Sequence, residues 1–223
     1  MIIFITWRGN LPMNLLISFD FCGTIAFAIS GAITAIDHRM DIFGVNMLAI
    51  TTATGGGMLR DIIMGNLPPV MFRNPVYVLG AAITANVVFL LSRKWHHVPE
   101  HLTYWYDLLL FWFDTVGLAA FTVDGALLGL DSRYGSNLFF VTVLAFLTGV
   151  GGGLLRDVFS GQVPYIFCKH VYAVASIAGG LLTGIFICAG VTRWIGTAAG
   201  FVTVILIRYL ARKFEWNLPR ADD

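Results

Sequence analysis

Apolar positions in this chain come in long unbroken runs, not in the alternation of a strand or the narrow stripe of a water-facing helix. Residues 75–92 (PVYVLGAAITANVVFLLS) and 171–191 contain no charged side chain. A run of about 18 or more apolar residues can cross the hydrocarbon core of a bilayer as a helix. Residues 42–59 and 136–155 form two further runs, each ending in a glycine triplet. Residues 11–36 are interrupted only by Asp20, and residues 108–130 only by Asp114 and Asp124. The last run, 194–211, is apolar for fourteen residues before Arg208, which would snorkel toward the interface. The pattern predicts seven transmembrane helices, an all-α integral membrane fold.

Composition agrees. Of 223 residues, 57% are hydrophobic and 12% charged, about half the charge of a soluble domain. The net charge of +1 offers no broad electrostatic surface for nucleic acid, so membrane lipid is the expected surrounding. Cys22, Cys168 and Cys188 have no metal spacing and read as small buried packing residues. The start, MIIFITWRGNLPMN, reads as a leader (1–14) into the first span, not a removed signal peptide. No connecting loop is long enough for a soluble catalytic head.

Segments 51–73 (TTATGGGMLRDIIMGNLPPVMFR) and 147–169 (LTGVGGGLLRDVFSGQVPYIFCK) share the skeleton GGG-x-LRD-x-x-x-G-x-x-P at an offset of 96. Upstream, FDFCGTIAFAISGA (19–32) matches FDTVGLAAFTVDGA (113–126) at an offset of 94. The chain therefore divides into repeat 1 (15–92, spans 1–3), a cytoplasmic loop (93–106), repeat 2 (107–191, spans 4–6), span 7 (192–211) and a cytoplasmic tail (212–223). Three spans per repeat is odd, so the second copy enters the membrane from the opposite face. Such inverted repeats place a solute path near the midplane between them. Outside Arg60 and Arg156, eight Lys/Arg fall on the C-terminal face and four on the N-terminal face. That count predicts an outside N-terminus and a cytoplasmic C-terminus in a multi-pass bacterial inner-membrane protein.

Gly55, Gly56, Gly57 and Gly151, Gly152, Gly153 fall late in spans 2 and 5. Three glycines weaken a helix by roughly 1 kcal/mol each relative to alanine. Broken backbone at membrane depth is tolerated where it is buried or lines a wet cavity. Both spans are therefore expected to break there. Carbonyls near Thr51, Thr54 and Thr148 would then face cations, and the freed N–H groups would face anions or carboxylates. The alternative is that the glycines only permit close helix packing.

Charges inside a membrane segment are functional candidates with a partner to be named. Arg60, Asp61, Arg156 and Asp157 are expected to form charge pairs or a gate, including pairs across the pseudo-axis. In the alternative they cap half-helices at the interface. Asp20 and Asp114 are equivalent positions well inside their spans, suited to a cation, a substrate amine or a repeat arginine. Asp124 aligns with Ser30, so the repeat lends it no support. His96, His97 and His101 beside Glu100 read as a solvated loop and not as a metal site. The aromatic run from Tyr104 to Phe113 reads as an interfacial belt. No catalytic constellation, cofactor or metal motif is present, so the chain is not expected to be an enzyme.

The doubled GGG-x-LRD-x-x-x-G-x-x-P, with FD-x-x-G near the start of each repeat, resembles the bacterial glycine-transporter-domain family, small inner-membrane proteins made of two three-helix domains. The resemblance covers residues 15–211. The arrangement is also similar to the trimeric intracellular cation channels, whose spans 2 and 5 bend at glycine-rich motifs. That second resemblance implies a pore within each protomer beside 55–57 and 151–153. It also implies a homo-oligomer, dimer or trimer. The channel family's basic lipid-contacting and voltage-sensing residues have no match here. Two functions remain open. A carrier for a small zwitterion such as glycine would use the N–H ends, Arg60 or Arg156 for the carboxylate, with Asp20, Asp114 or carbonyls for the amine. A monovalent cation (potassium) channel would use the same acids and carbonyls, with the arginines as gates. A non-transporting scaffold would leave the inverted repeat without a purpose.

Overall fold

The structure is a computed structural model that describes residues 13–94, 103–168 and 171–216. The first twelve leader residues, the loop with His96, His97, Glu100 and His101, Lys169, and the tail from 217 lie outside the described residues. So do the side chains of Tyr104, Trp105 and Tyr106.

The regular elements among the described residues are all helices: α1 (Met13–Asp37), α2 (Ile42–Ile63), α3 (Val70–Arg73), α4 (Val76–Lys94), α5 (Thr103–Asp131), α6 (Leu138–Phe159), α7 (Tyr165–Cys168), α8 (Tyr172–Cys188) and α9 (Arg193–Lys213). Six of them, α1, α2, α4, α5, α6 and α9, contain segments apolar and long enough to cross a membrane. The seventh apolar helix, α8, has 17 residues.

Two triplets pack in the same way. In the first, α1, α2 and α4 contact one another, with α3 as a short link between α2 and α4. In the second, α5 and α8 each contact α6 and one another, with α7 as the link. The triplets meet through α1 against α5 and α2 against α6. The local signals repeat too. Asp41 accepts the Gly44 N–H at the start of α2, and Asn137 accepts the Phe140 N–H at the start of α6. Such caps satisfy one of the amides a helix start leaves without a partner. Gly65 and Gly161 take the left-handed conformation (φ +69° and +74°) just after each helix, where glycine avoids the Cβ penalty. At the contact of α1 with α5, Gly23 lies against Phe121 while Gly117 lies against Phe27. Position rises along one helix as it falls along the other, so the two run antiparallel.

Helix α9 has no counterpart. It packs against α5 and α8, and Arg193 at its start clamps Asp131 at the end of α5 with two contacts of 2.5 and 3.0 Å. Outward-facing side chains are large and apolar, among them Phe43, Leu79, Ile83, Phe139 and Val202, as a lipid-facing surface requires.

The glycine triplets do not break their helices. Both α2 and α6 run unbroken through 55–57 and 151–153, which corrects the expectation of half-helices and replaces it with close packing. The triplets are where α2 and α6 cross. A Cβ on Gly151 would stand 3.0 Å from the Gly56 Cα. A Cβ on Gly56 would overlap the Thr148 carbonyl oxygen, and one on Gly152 the Thr52 carbonyl oxygen. A broken ladder in a bilayer leaves backbone groups without partners. Facing glycines instead keep the ladder and let two backbones touch. Two of the cysteines also differ from expectation: Cys22 and Cys188 are free and exposed rather than inside the packing, while the side chain of Cys168 lies outside the described residues.

Candidate functional site

The last turn of α2 and of α6 carries the repeated Arg-Asp. Arg60 is 7% exposed and Asp61 3%, while Arg156 and Asp157 are each 1% exposed. None of the four is at a water-facing cap. Each aspartate ties its own helix to the short helix after it. Asp61 Oδ1 accepts from Arg60 Nε at 3.0 Å, and Oδ2 accepts the Val70 N–H at 2.8 Å, starting α3. Asp157 Oδ1 accepts from Arg156 Nε at 2.8 Å, and Oδ2 accepts the Tyr165 N–H at 2.8 Å, starting α7.

The free ends of the guanidinium groups cross between repeats. Arg60 Nη1 donates to Asp124 Oδ2 on α5, and Arg156 Nη1 donates to Ser30 Oγ on α1. Asp124 and Ser30 are equivalent positions, so the two bridges are one contact drawn twice about the pseudo-axis. Asp124 and Ser30 are therefore members of the site that their unlike chemistry hides in the sequence.

Each repeat also pairs an acid with a tyrosine. Tyr77 Oη donates to Asp20 Oδ2 at 3.3 Å, and Tyr172 Oη to Asp114 Oδ1 at 3.5 Å. The sequence holds a signal for these tyrosines, the Val-Tyr that opens the third long helix of each repeat (Val76-Tyr77, Val171-Tyr172).

The two halves then diverge. Asp114 accepts from Arg156 Nη1 at 2.6 Å and from Arg208 Nη2 at 3.4 Å. Arg208 is 2% exposed, with its guanidinium carbon 4.8 Å from the Phe111 ring and 4.7 Å from the Tyr172 ring. It does not snorkel. The packing of α9 against α5 and α8 turns that face of the helix inward, and buried acid and aromatic faces take the charge. Phe111, expected in an interfacial belt, serves here as a platform for Arg208 and for Arg212 at 4.4 Å. Among the described residues, no second guanidinium pairs with Asp20 in repeat 1 as Arg208 does with Asp114. A cavity of about 50 Å³ opens there instead, lined by Asp20, Thr24, Thr54, Gly57, Arg60, Asp61 and Tyr77 among others.

Of the residues singled out for a solute path, the structure thus brings Asp20, Thr54, Gly57, Arg60 and Asp61 to one cavity. Gly55, Gly56, Gly151 and Gly152 lie in the α2–α6 crossing, and Gly153 lies beside Tyr172. Thr148 is buried against Gly125 of α5, its hydroxyl donating to the Leu144 carbonyl. Thr51 is half-buried, outside the cavity lining, and Asp114 is sealed among arginines. Among the described residues no three His, Cys, Asp or Glu side chains converge as a metal site would need.

A family model described as "Glycine transporter" matches the chain twice, at residues 17–93 and 111–188, the two triplets that share the arginine bridges. The chain belongs to that family. Among its relatives, the UPF0126 membrane protein YvgT of Bacillus subtilis is 35% identical over 88% of this chain and 92% of its own length. The UPF0126 inner membrane protein YadS of Escherichia coli is 33% identical over 90% and 93%. Solved structures of the same fold are cation channels. A prokaryotic TRIC channel crystallised in 0.5 M KCl superposes with a TM-score of 0.83 at 30% identity, covering 93% of this chain and all of that one. The trimeric intracellular cation channel orthologue from Rhodobacter sphaeroides gives 0.82 at 29% identity, covering 92% of this chain and all of that one. This family member is a multi-pass membrane protein with the fold of a cation channel, and the proteins it resembles are named membrane proteins and cation channels.

Proposed function

We propose that the protein carries small monovalent cations across the bacterial inner membrane, along a path that uses the repeat-1 cavity. One observation supports this most: the cavity and its wall set a single guanidinium, Arg60, among the carboxylates of Asp20, Asp61 and Asp124. A site at membrane depth with an excess of acid attracts cations and repels anions. The channel structures of the same fold, at about 30% identity, lend the same support.

In this reading α8, about 25 Å long at 1.5 Å per residue, is the sixth of seven spans. The antiparallel α1–α5 contact fits a second repeat inverted in the membrane, with the N-terminus outside and the C-terminus in the cytoplasm. The trimeric state of the similar channel favours a homotrimer here.

Glycine, which the family description names, is a second reading. The cavity holds both an acid for an amine and Arg60 for a carboxylate. Arg60, however, already donates through Nε and Nη1 to two aspartates, so a substrate carboxylate would have to displace one. Cation movement needs no such exchange. Potassium flux and glycine uptake measured on one proteoliposome preparation separate the two. Potassium flux without saturable glycine uptake is expected, and saturable glycine uptake without potassium flux would overturn the proposal.

A further inference from the structure

The two repeats are built on one plan, yet the place that stands open in the first is filled in the second. In repeat 1 the Asp20–Tyr77 pair faces the cavity, where a Cβ on Gly57 would meet only Arg60 Nη2, 3.6 Å away. A Cβ on Gly153, the counterpart of Gly57, would stand 2.8 Å from Tyr172 Oη. The Arg208 guanidinium covers the ring of that tyrosine and reaches Asp114 Oδ2 at 3.4 Å. The walls differ in the same sense. Thr24 and Thr54 line the cavity, and their counterparts 94 and 96 residues on are Leu118 and Val150, both buried. Neutralising Asp114 does not require Arg208, because Arg156 already lies 2.6 Å from its Oδ1. The Arg208 Nε is buried and finds no acceptor among the described residues. Desolvating a guanidinium for one long contact is a poor source of stability, and a charge at membrane depth points to a function.

We infer that Arg208 is a plug, which closes the second repeat's copy of the cavity by filling it and by fixing a positive charge there, and so leaves repeat 1 as the open half. The asymmetry has a topological reason. Helix α9 follows the second triplet and packs against α5 and α8, so it can reach the Asp114–Tyr172 pair and no equivalent helix reaches Asp20 and Tyr77. In the closed half two acids, Asp114 and Asp157, meet two guanidinium groups, Arg156 and Arg208. That half therefore has no surplus of negative charge to draw a cation. The Phe111 and Tyr172 rings, 4.8 and 4.7 Å from the guanidinium carbon, hold the plug in place.

The plug deepens the cation reading above and rests on it for the ion that is kept out, while the closure itself does not depend on what is carried. Cysteine accessibility tests it on the full chain in proteoliposomes. In a background of C22S, C168S and C188S, T54C and V150C are each treated with a cationic methanethiosulfonate, and modification is followed by intact-protein mass. T54C should be modified, and V150C, its twin, should be protected. Adding R208A removes the need for local opening and should speed modification of V150C about tenfold or more. R208K, which keeps the charge and much of the length, should leave V150C protected. V45C, buried toward the other end of α2, reports loosening of the whole fold and should stay protected with R208A. If R208A does not fold, R208Q, smaller and uncharged, takes its place. V150C modified as fast as T54C with Arg208 present would overturn the plug. So would V150C still protected with R208A or R208Q, R208K matching R208A, or V45C and V150C exposed together. Wild type without potassium flux, but with this labelling pattern, would overturn the cation reading and keep the plug. Normal flux with V150C accessible beside Arg208 would do the reverse.

Discussion

Arg156 on α6 donates to the hydroxyl of Ser30 on α1, so a charge of the second repeat is held by a neutral residue of the first. The mirror-image bridge from Arg60 ends on the carboxylate of Asp124. One pair of equivalent positions, one serine and one aspartate, thus makes the two halves of a repeated protein electrostatically different.

The Arg156 network should be strongly non-additive. Arg156→Ala strands Asp157, which lies at 2.8 Å, and leaves Asp114 with the longer Arg208 contact of 3.4 Å; it should cost about 3–5 kcal/mol, as removal of one partner from a buried ion pair does. Adding Asp157→Asn, which removes the acid left without a charged partner, should restore part of the loss. Thermal unfolding of the single and double variants in detergent checks this. Strictly additive losses would count against a paired network.

Neighbouring glycines should behave oppositely. A Cβ at Gly56 meets the backbone of Thr148, whereas one at Gly57 meets only Arg60 Nη2, at an ordinary 3.6 Å. Gly56→Ala should destabilise by about 1–3 kcal/mol through overpacking. Gly57→Ala should be neutral or stabilising by up to about 1 kcal/mol, while narrowing the cavity it lines. Melting temperatures and potassium flux of the two variants make the comparison. A helix broken at the triplet would tolerate both alike.

The pattern of long apolar runs is enough to place the seven long helices to within a few residues, because lipid imposes a length and a composition on each. The doubled GGG-x-LRD is enough to show a repeat. What the glycines do is not legible: whether a triplet breaks a helix or seats another depends on what faces it, and Thr148 and Gly152 are about a hundred residues away. Arg208 reads as an interfacial residue because it ends an apolar run. Its depth is set by the face α9 turns toward α5 and α8, which no local pattern records. Asp124 is masked by its own alignment with Ser30, since a repeat shows itself through likeness and the site depends on a difference. The four-residue helices α3 and α7 carry no periodicity at all, and exist because Asp61 and Asp157 capture their first amides.

Topology is the simplest expectation to check. The count of eight Lys/Arg against four predicts a cytoplasmic C-terminus. A C-terminal reporter active only in the cytoplasm should therefore light up, and one active only in the periplasm should stay silent. The opposite result would mean six spans, with α8 not crossing, or a reversed protein.

Cations that pass by the repeat-1 cavity pass Asp20 in its lining. Potassium flux through proteoliposomes should fall by about tenfold or more for Asp20→Asn, which keeps the shape and removes the carboxyl from an intramembrane site. Phe139→Leu on the lipid-facing surface should conduct as wild type does. Full potassium flux in Asp20→Asn, at equal protein incorporation, would contradict the account.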